Sequence, residues 1–159
     1  MAITAKVEGL AEISEMLTKL EEEGPKAAAA GLYDGAGVMA KEIEKGIDGI
    51  KTAPFKYTKF GVRLPSPEEV ESIKSKVGIS KFSKNGTEII TTVGLAHAGY
   101  TEVNGKKKAV ALIANSISSG TSFMQKQPFV RKSATKGAKL AEAAIIKTIE
   151  QRLDEKNLK

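Results

Sequence analysis

The chain has no cysteine and no tryptophan, one histidine, five prolines and 5% aromatic residues over 159 positions. Without cysteine there is neither a disulfide framework nor a thiolate metal site, and one histidine cannot build the ordinary His-rich zinc shell. No carboxylate pair lies near His97 in the sequence, so it reads as a structural residue at a strand end. Long apolar runs are missing too. No stretch approaches the roughly 20 residues of a membrane span, and Met1 to Gly9 lacks an apolar core of signal-peptide length, which predicts a soluble, non-secreted chain with no membrane partner.

Signatures of catalysis are equally sparse. Gly31 to Gly37 lacks the Gly-Lys-Ser/Thr ending that sets a lysine on a nucleotide phosphate. Ser116, Ser118, Ser119 and Ser122 sit in no Gly-x-Ser-x-Gly elbow, and their small polar side chains suit a turn. Glu21, Glu22 and Glu23 are consecutive, so on a helix they point in different directions and read as a solvated helix end. The expectation is therefore no catalytic residue, no cofactor and no metal site.

Charge is abundant and unevenly placed. Residues 1–50 hold five Lys against ten Asp and Glu, a balance of −5, whereas residues 51–139 hold sixteen Lys and Arg against five Glu, a balance of +11. Such asymmetry suits an oriented surface facing nucleic acid or an acidic neighbouring subunit, and it equally suits a solvated basic surface.

At this length the chain reads as a single domain, 1–159, that buries roughly two thirds of its unfolded surface. Alternation at Ile3, Ala5 and Val7 predicts a strand; Leu10, Ile13, Leu17 and Leu20 predict a short helix stopped by Gly24-Pro25. A second helix starts at Pro25, with Ala29, Leu32, Ala36, Met39, Ile43 and Ile47 as its stripe. Its many small residues, Ala27 to Gly31 and Gly35 to Gly37, cost helix propensity and point either to close packing against another element or to a helix locally broken around Gly35-Ala36-Gly37.

Prolines 54, 65 and 67 break the pattern into a long loop at about 49–67. Period-two registers at Ile73 to Ile79 and Ile89 to Leu95 flank Asn85-Gly86, a hairpin signal, and a third strand is expected over 109–114 after a second turn candidate, Asn104-Gly105. The stripe Ala134, Ala138, Ala141, Ile145, Ile149 and Leu153 predicts a long C-terminal helix. The expected fold is α+β: an antiparallel sheet of three to five strands, covered on one face by a long central helix and a long C-terminal helix.

From Ala114 to Ala134 a small-polar turn containing Gly120-Thr121-Ser122 leads through Gln127-Pro128-Phe129-Val130-Arg131 into that helix. This order resembles the minor tail-component family of long-tailed bacteriophages, tail-completion or neck proteins at the head-tail junction. Val7-Glu8-Gly9-Leu10 and the Ala-rich stretch from Pro25 to Ile47 extend the likeness over most of the chain. Two departures stand against it: Ile117-Ser118 replaces an aromatic and acidic pair before the Gly-Thr, and Lys51-Thr52-Ala53-Pro54-Phe55 replaces a Thr-Gly-x-Leu segment.

The resemblance implies a structural virion protein that forms a ring at the head-tail junction and takes part in tail completion and head-tail joining. A hexamer is the expected, not the fixed, order. Its partners would be copies of itself, neighbouring head-closure, tail-terminator or tail-tube proteins and, in passing, genomic DNA. The alternative is a small basic DNA- or RNA-binding protein. Interface candidates follow from aromatic and cationic chemistry: Phe55, Tyr57, Phe60 and Arg63 in the loop, the Lys106, Lys107 and Lys108 run as solvent-facing cations, Phe129 as an apolar anchor and Arg131 as a fork for a carboxylate.

Overall fold

The computed structural model describes residues 10–54, 61–85, 88–95 and 99–156, with backbone alone at 10–14 and 84–85. The strand expected at Ile3 to Val7, the aromatic residues Phe55, Tyr57 and Phe60, and His97 lie outside the described residues.

Helix α1 runs unbroken from Leu10 to Asp48, 39 residues and about 58 Å at 1.5 Å per residue. The expected stop at Gly24-Pro25 does not occur. Proline removes one N–H bond and crowds the preceding turn, costing about 3 kcal/mol, yet the chain on both sides is strongly helical and the side beyond it is held by packing. Ala27 is buried two residues on, and Glu23 pairs with Lys26 across the proline.

What holds α1 is helix α4, Phe129–Glu155, lying antiparallel along it. Gly31 meets Ile149, Gly35 meets Ile145 and Ala141, Gly137 meets Met39, and Gly46 meets Ser133. Polar ties repeat the register: Glu23 to Lys156, Thr148 Oγ1 donating to Asp34 at 2.7 Å, and Lys136 to Glu42 at 3.3 Å. The small residues thus let two backbones approach, as their pattern predicted. In α4 the buried face begins as Phe129, Ser133, Gly137 and Ala141, while Ala134 and Ala138 are exposed. The apolar stripe read from the sequence is correct only from Ala141 onward; before it the face toward α1 is Ser133, against Gly46, and Gly137, against Met39, one residue earlier than the alanines.

Around the C-terminal end of α1 sits the smaller half of the molecule. Helix α2, Pro67–Lys74, opens on a capping box: Ser66 Oγ accepts from the Glu69 N–H and the Glu69 carboxylate accepts from the Ser66 N–H. That box explains why Ile73, expected in a strand, is fully buried on a helix instead. Strand pairs β1–β4 (Gly78–Ile79 with Val93–Gly94) and β2–β3 (Ser83–Asn85 with Glu88–Ile90) are successive parts of one interrupted hairpin. Asn85 is not a central turn residue as expected: it closes β2 opposite Glu88, which puts the connection at 86–87, outside the described residues.

A second hairpin pairs β5, Tyr100–Val103, with β6, Lys106–Ala109, through Asn104 and Gly105. Both turn residues have positive φ, 52° and 69°, as a type I′ connection demands. Residues 110–114 are not a strand. Helix α3, Val110–Ser119, takes them and buries Val110, Ile113, Ala114 and Ile117 at helical spacing, since a short apolar run fits either period. The extended sheet of three to five strands is accordingly replaced by short two-stranded ladders. Strands of two to four residues offer no face broad enough for a long helix, so α1 and α4 cover each other. Ile47, Ile50, Ile73, Val103, Val110, Ile113, Ile117, Met124 and Phe129 form the core where the two halves meet.

Candidate functional site

Two of the sequence candidates are used inside the subunit. The Arg63 guanidinium donates to both oxygens of Glu69 at 2.7 Å and to the Leu64 carbonyl at 3.1 Å. Lys108 reaches the same carboxylate at 3.3 Å and is partly buried, whereas Lys106 and Lys107 are exposed. Lys107 lies 5.0 Å over the Tyr100 ring across the hairpin. Burial would raise the Glu69 carboxyl, but the hydrogen bonds from Arg63 and the Ser66 N–H, with the charges of Arg63 and Lys108, outweigh it and hold the group below its ordinary range.

The ends of the long loop are pinned to the turn that precedes α4. The Ala53 N–H donates to Pro65 at 3.0 Å, the Arg63 N–H to Phe123 at 2.9 Å, and the Gln125 N–H back to Arg63 at 2.9 Å. Gln127 bridges both backbone groups of Lys51, at 2.8 and 2.9 Å. Gly120 to Met124 forms a tight turn closed by Thr121 and Met124, and Phe129 enters the core, 5% exposed. The segment from Gly120 to Phe129 is the joint between the two halves. Asn115 to Ser119, expected in the turn, belongs to α3.

Arg131 lies elsewhere, in a groove between the end of α3 and the start of α4. Lys126, Arg131, Lys132 and Lys136 line it together with Ser118, Ser119, Pro128 and Thr135, around a volume of about 750 Å³. A second depression of about 420 Å³ adjoins it, sharing Lys126, Pro128 and Lys132 and adding Lys45 and Lys51. Residues 129–141 contain four cations and no acid. Lys136 is tied to Glu42, while Lys126, Arg131 and Lys132 have no carboxylate partner among the described residues. The signal was present in the sequence as the basic first half of α4. Only Arg131 was singled out there, because nothing in the order of residues brings Lys126 and the end of α3 to it.

At the other end of the molecule α1 outruns α4. Lys156 sits opposite Glu23, so residues 10–22 project beyond the helical pair, and Met16, Leu17 and Leu20 are 45%, 61% and 42% exposed. No group of three or more His, Cys, Asp or Glu side chains that could hold a metal ion occurs among the described residues, and no described helix is long and apolar enough to cross a membrane. Comparison of the chain with protein-family models, with curated proteins and with solved structures yields no match.

Proposed function

We propose that the chain is a structural virion protein, a subunit that closes into a ring at the head-tail junction of a long-tailed phage and takes part in tail completion and head-tail joining. The observation that carries this reading is uncovered apolar surface. The described residues bury thirteen apolar side chains, four of them alanine, and expose thirteen large ones, including Leu17, Tyr33, Leu112 and Phe123. Single exposed apolar residues are ordinary, but the adjacent Met16, Leu17 and Leu20 on a projecting helix are what an assembling subunit leaves for a neighbour. The family likeness of residues 114–134 supplies the identity of the assembly, and the protein would reside in the virion after assembly in the host cytoplasm.

Native mass of the purified protein, alone and mixed with tail-tube or head-closure protein, tests it. A discrete ring species, or a stoichiometric complex with such a partner, is expected. A monomer at every concentration that joins neither partner would refute the reading. The second reading, nucleic-acid binding, draws on the groove around Arg131, whose cations could track phosphates. Tight duplex-DNA binding by the monomer, falling steeply with salt, would favour it.

A further inference from the structure

The two ends of the helical pair are chemically opposite. Residues 10–22 of α1 carry four Glu against one Lys beside the exposed Met16, Leu17 and Leu20. The far end carries the groove of Lys126, Arg131, Lys132 and Lys136, lined also by Pro128, and long cationic side chains bring apolar stems as well as charge. We propose that the projecting N-terminal arm of α1 in one copy docks into the basic groove of a second copy, giving a head-to-tail interface. This deepens the ring reading and rests on it.

Geometry forbids the same contact within one chain. The arm ends near Glu23, opposite Lys156, and the groove begins at Lys136, opposite Glu42. Those levels are 19 residues apart on one unbroken helix, about 28 Å along its axis. A rigid helix cannot fold back over that distance, so the groove is open to another copy's arm. An acidic helix with an apolar stripe, laid in a groove of cations with apolar stems, is a helix-in-groove contact with electrostatic register. Because donor and acceptor surfaces differ, a pair still has one groove free on one copy and one arm free on the other. Such heterologous contacts propagate until the rotation closes a ring. Thirteen helical residues span about 20 Å, enough to cover the groove and the depression that adjoins it.

A charge swap on the full chain tests this. One variant carries Glu15→Lys, Glu21→Lys and Glu22→Lys in the arm; the other carries Lys126→Glu, Arg131→Glu and Lys132→Glu in the groove. Circular dichroism checks helicity, and the neutral versions, Glu→Gln and Lys or Arg→Gln, give a gentler form of each variant. Sedimentation is expected to show each variant alone associating at least about tenfold more weakly than the wild type. An equimolar mixture should associate again, because each reversed surface now meets its complement. Assemblies of wild-type mass in both variants would overturn the arm-in-groove contact and leave the ring reading standing, whereas a wild type monomeric throughout, with no complex with tail proteins, would end both. Groove reversal that abolishes duplex-DNA binding and leaves self-association untouched would overturn the contact and assign the groove to phosphates.

Discussion

Gly35 of α1 lies directly beneath Ile145 of α4, so close that a Cβ there would stand 2.8 Å from the isoleucine Cδ1 and 3.2 Å from the Ala141 carbonyl. Two residues later the same helix has open space, since nothing lies within 4 Å of a Cβ built on Gly37. Alanine at the two positions should therefore act in opposite directions. Gly37→Ala gains about 0.5 to 1 kcal/mol from helix propensity alone. Gly35→Ala makes the same gain but overpacks a stiff β-branched neighbour, for a net loss of about 1 to 2 kcal/mol. Urea unfolding of the pair measures both, and a stabilised Gly35→Ala would show that the two helices can separate at no cost.

Acid should weaken the molecule through Glu69. Its folded carboxyl titrates below the ordinary value of 4.5, so the ionised form is favoured by folding. That contribution is complete above the unfolded value and is lost as pH falls through the lowered one. Stability is expected to be level from neutrality to about pH 5 and to drop below about 4.5. Glu69→Gln should flatten that step and lower stability at pH 7 by about 3 kcal/mol, because Arg63 loses its carboxylate. An unchanged acid limb in the variant would assign the step to other carboxylates.

Lys108 and its neighbours should part company. Lys108→Glu sets a like charge against buried Glu69 and is expected to lower the melting temperature, whereas Lys106→Glu with Lys107→Glu should leave it within a few degrees, losing at most the Tyr100 contact of about 0.5 to 1 kcal/mol. If those two exposed lysines face a DNA-lined lumen or an acidic ring, the double variant still folds but yields fewer infectious particles. Wild-type phage yield would remove them from the interface.

Phe129 belongs to the core in which α1, α2, α3 and α4 meet. Phe129→Ala should cost about 3 to 5 kcal/mol, which lowers the melting temperature of a domain this size by roughly 6 to 20 °C. Calorimetry decides the matter. A variant that melts like the wild type but no longer assembles would move the ring from the core to an interface.

Local chemistry made some of this legible in advance. The positive-φ turn at Asn104-Gly105, the proline-set entry at Pro128-Phe129 and the close approach implied by the glycines and alanines of α1 are properties of short segments. The Ser66-x-x-Glu69 capping box that opens α2 is a local signal too, yet Ile73 beyond it reads by period as part of a strand. Arg63 and Lys108, by contrast, read as free interface cations, although they converge on Glu69 from 6 and 39 residues away.

What the sequence determined by itself, then, is local: period, turn chemistry, small-residue spacing and the acidic-to-basic order of the chain. Tertiary structure decided everything that depends on a partner distant in sequence. It carried α1 through Pro25 because α4 packs along the far side, and it turned 110–114 into a helix because Val110, Ile113, Ala114 and Ile117 face Ile47 and Ile73 in one core. It also set the acidic arm and the basic groove at opposite ends of one rigid helical pair. A sequence states which side chains are available; the free energy that selects among their arrangements comes from burial and charge pairing that exist only once the chain has folded.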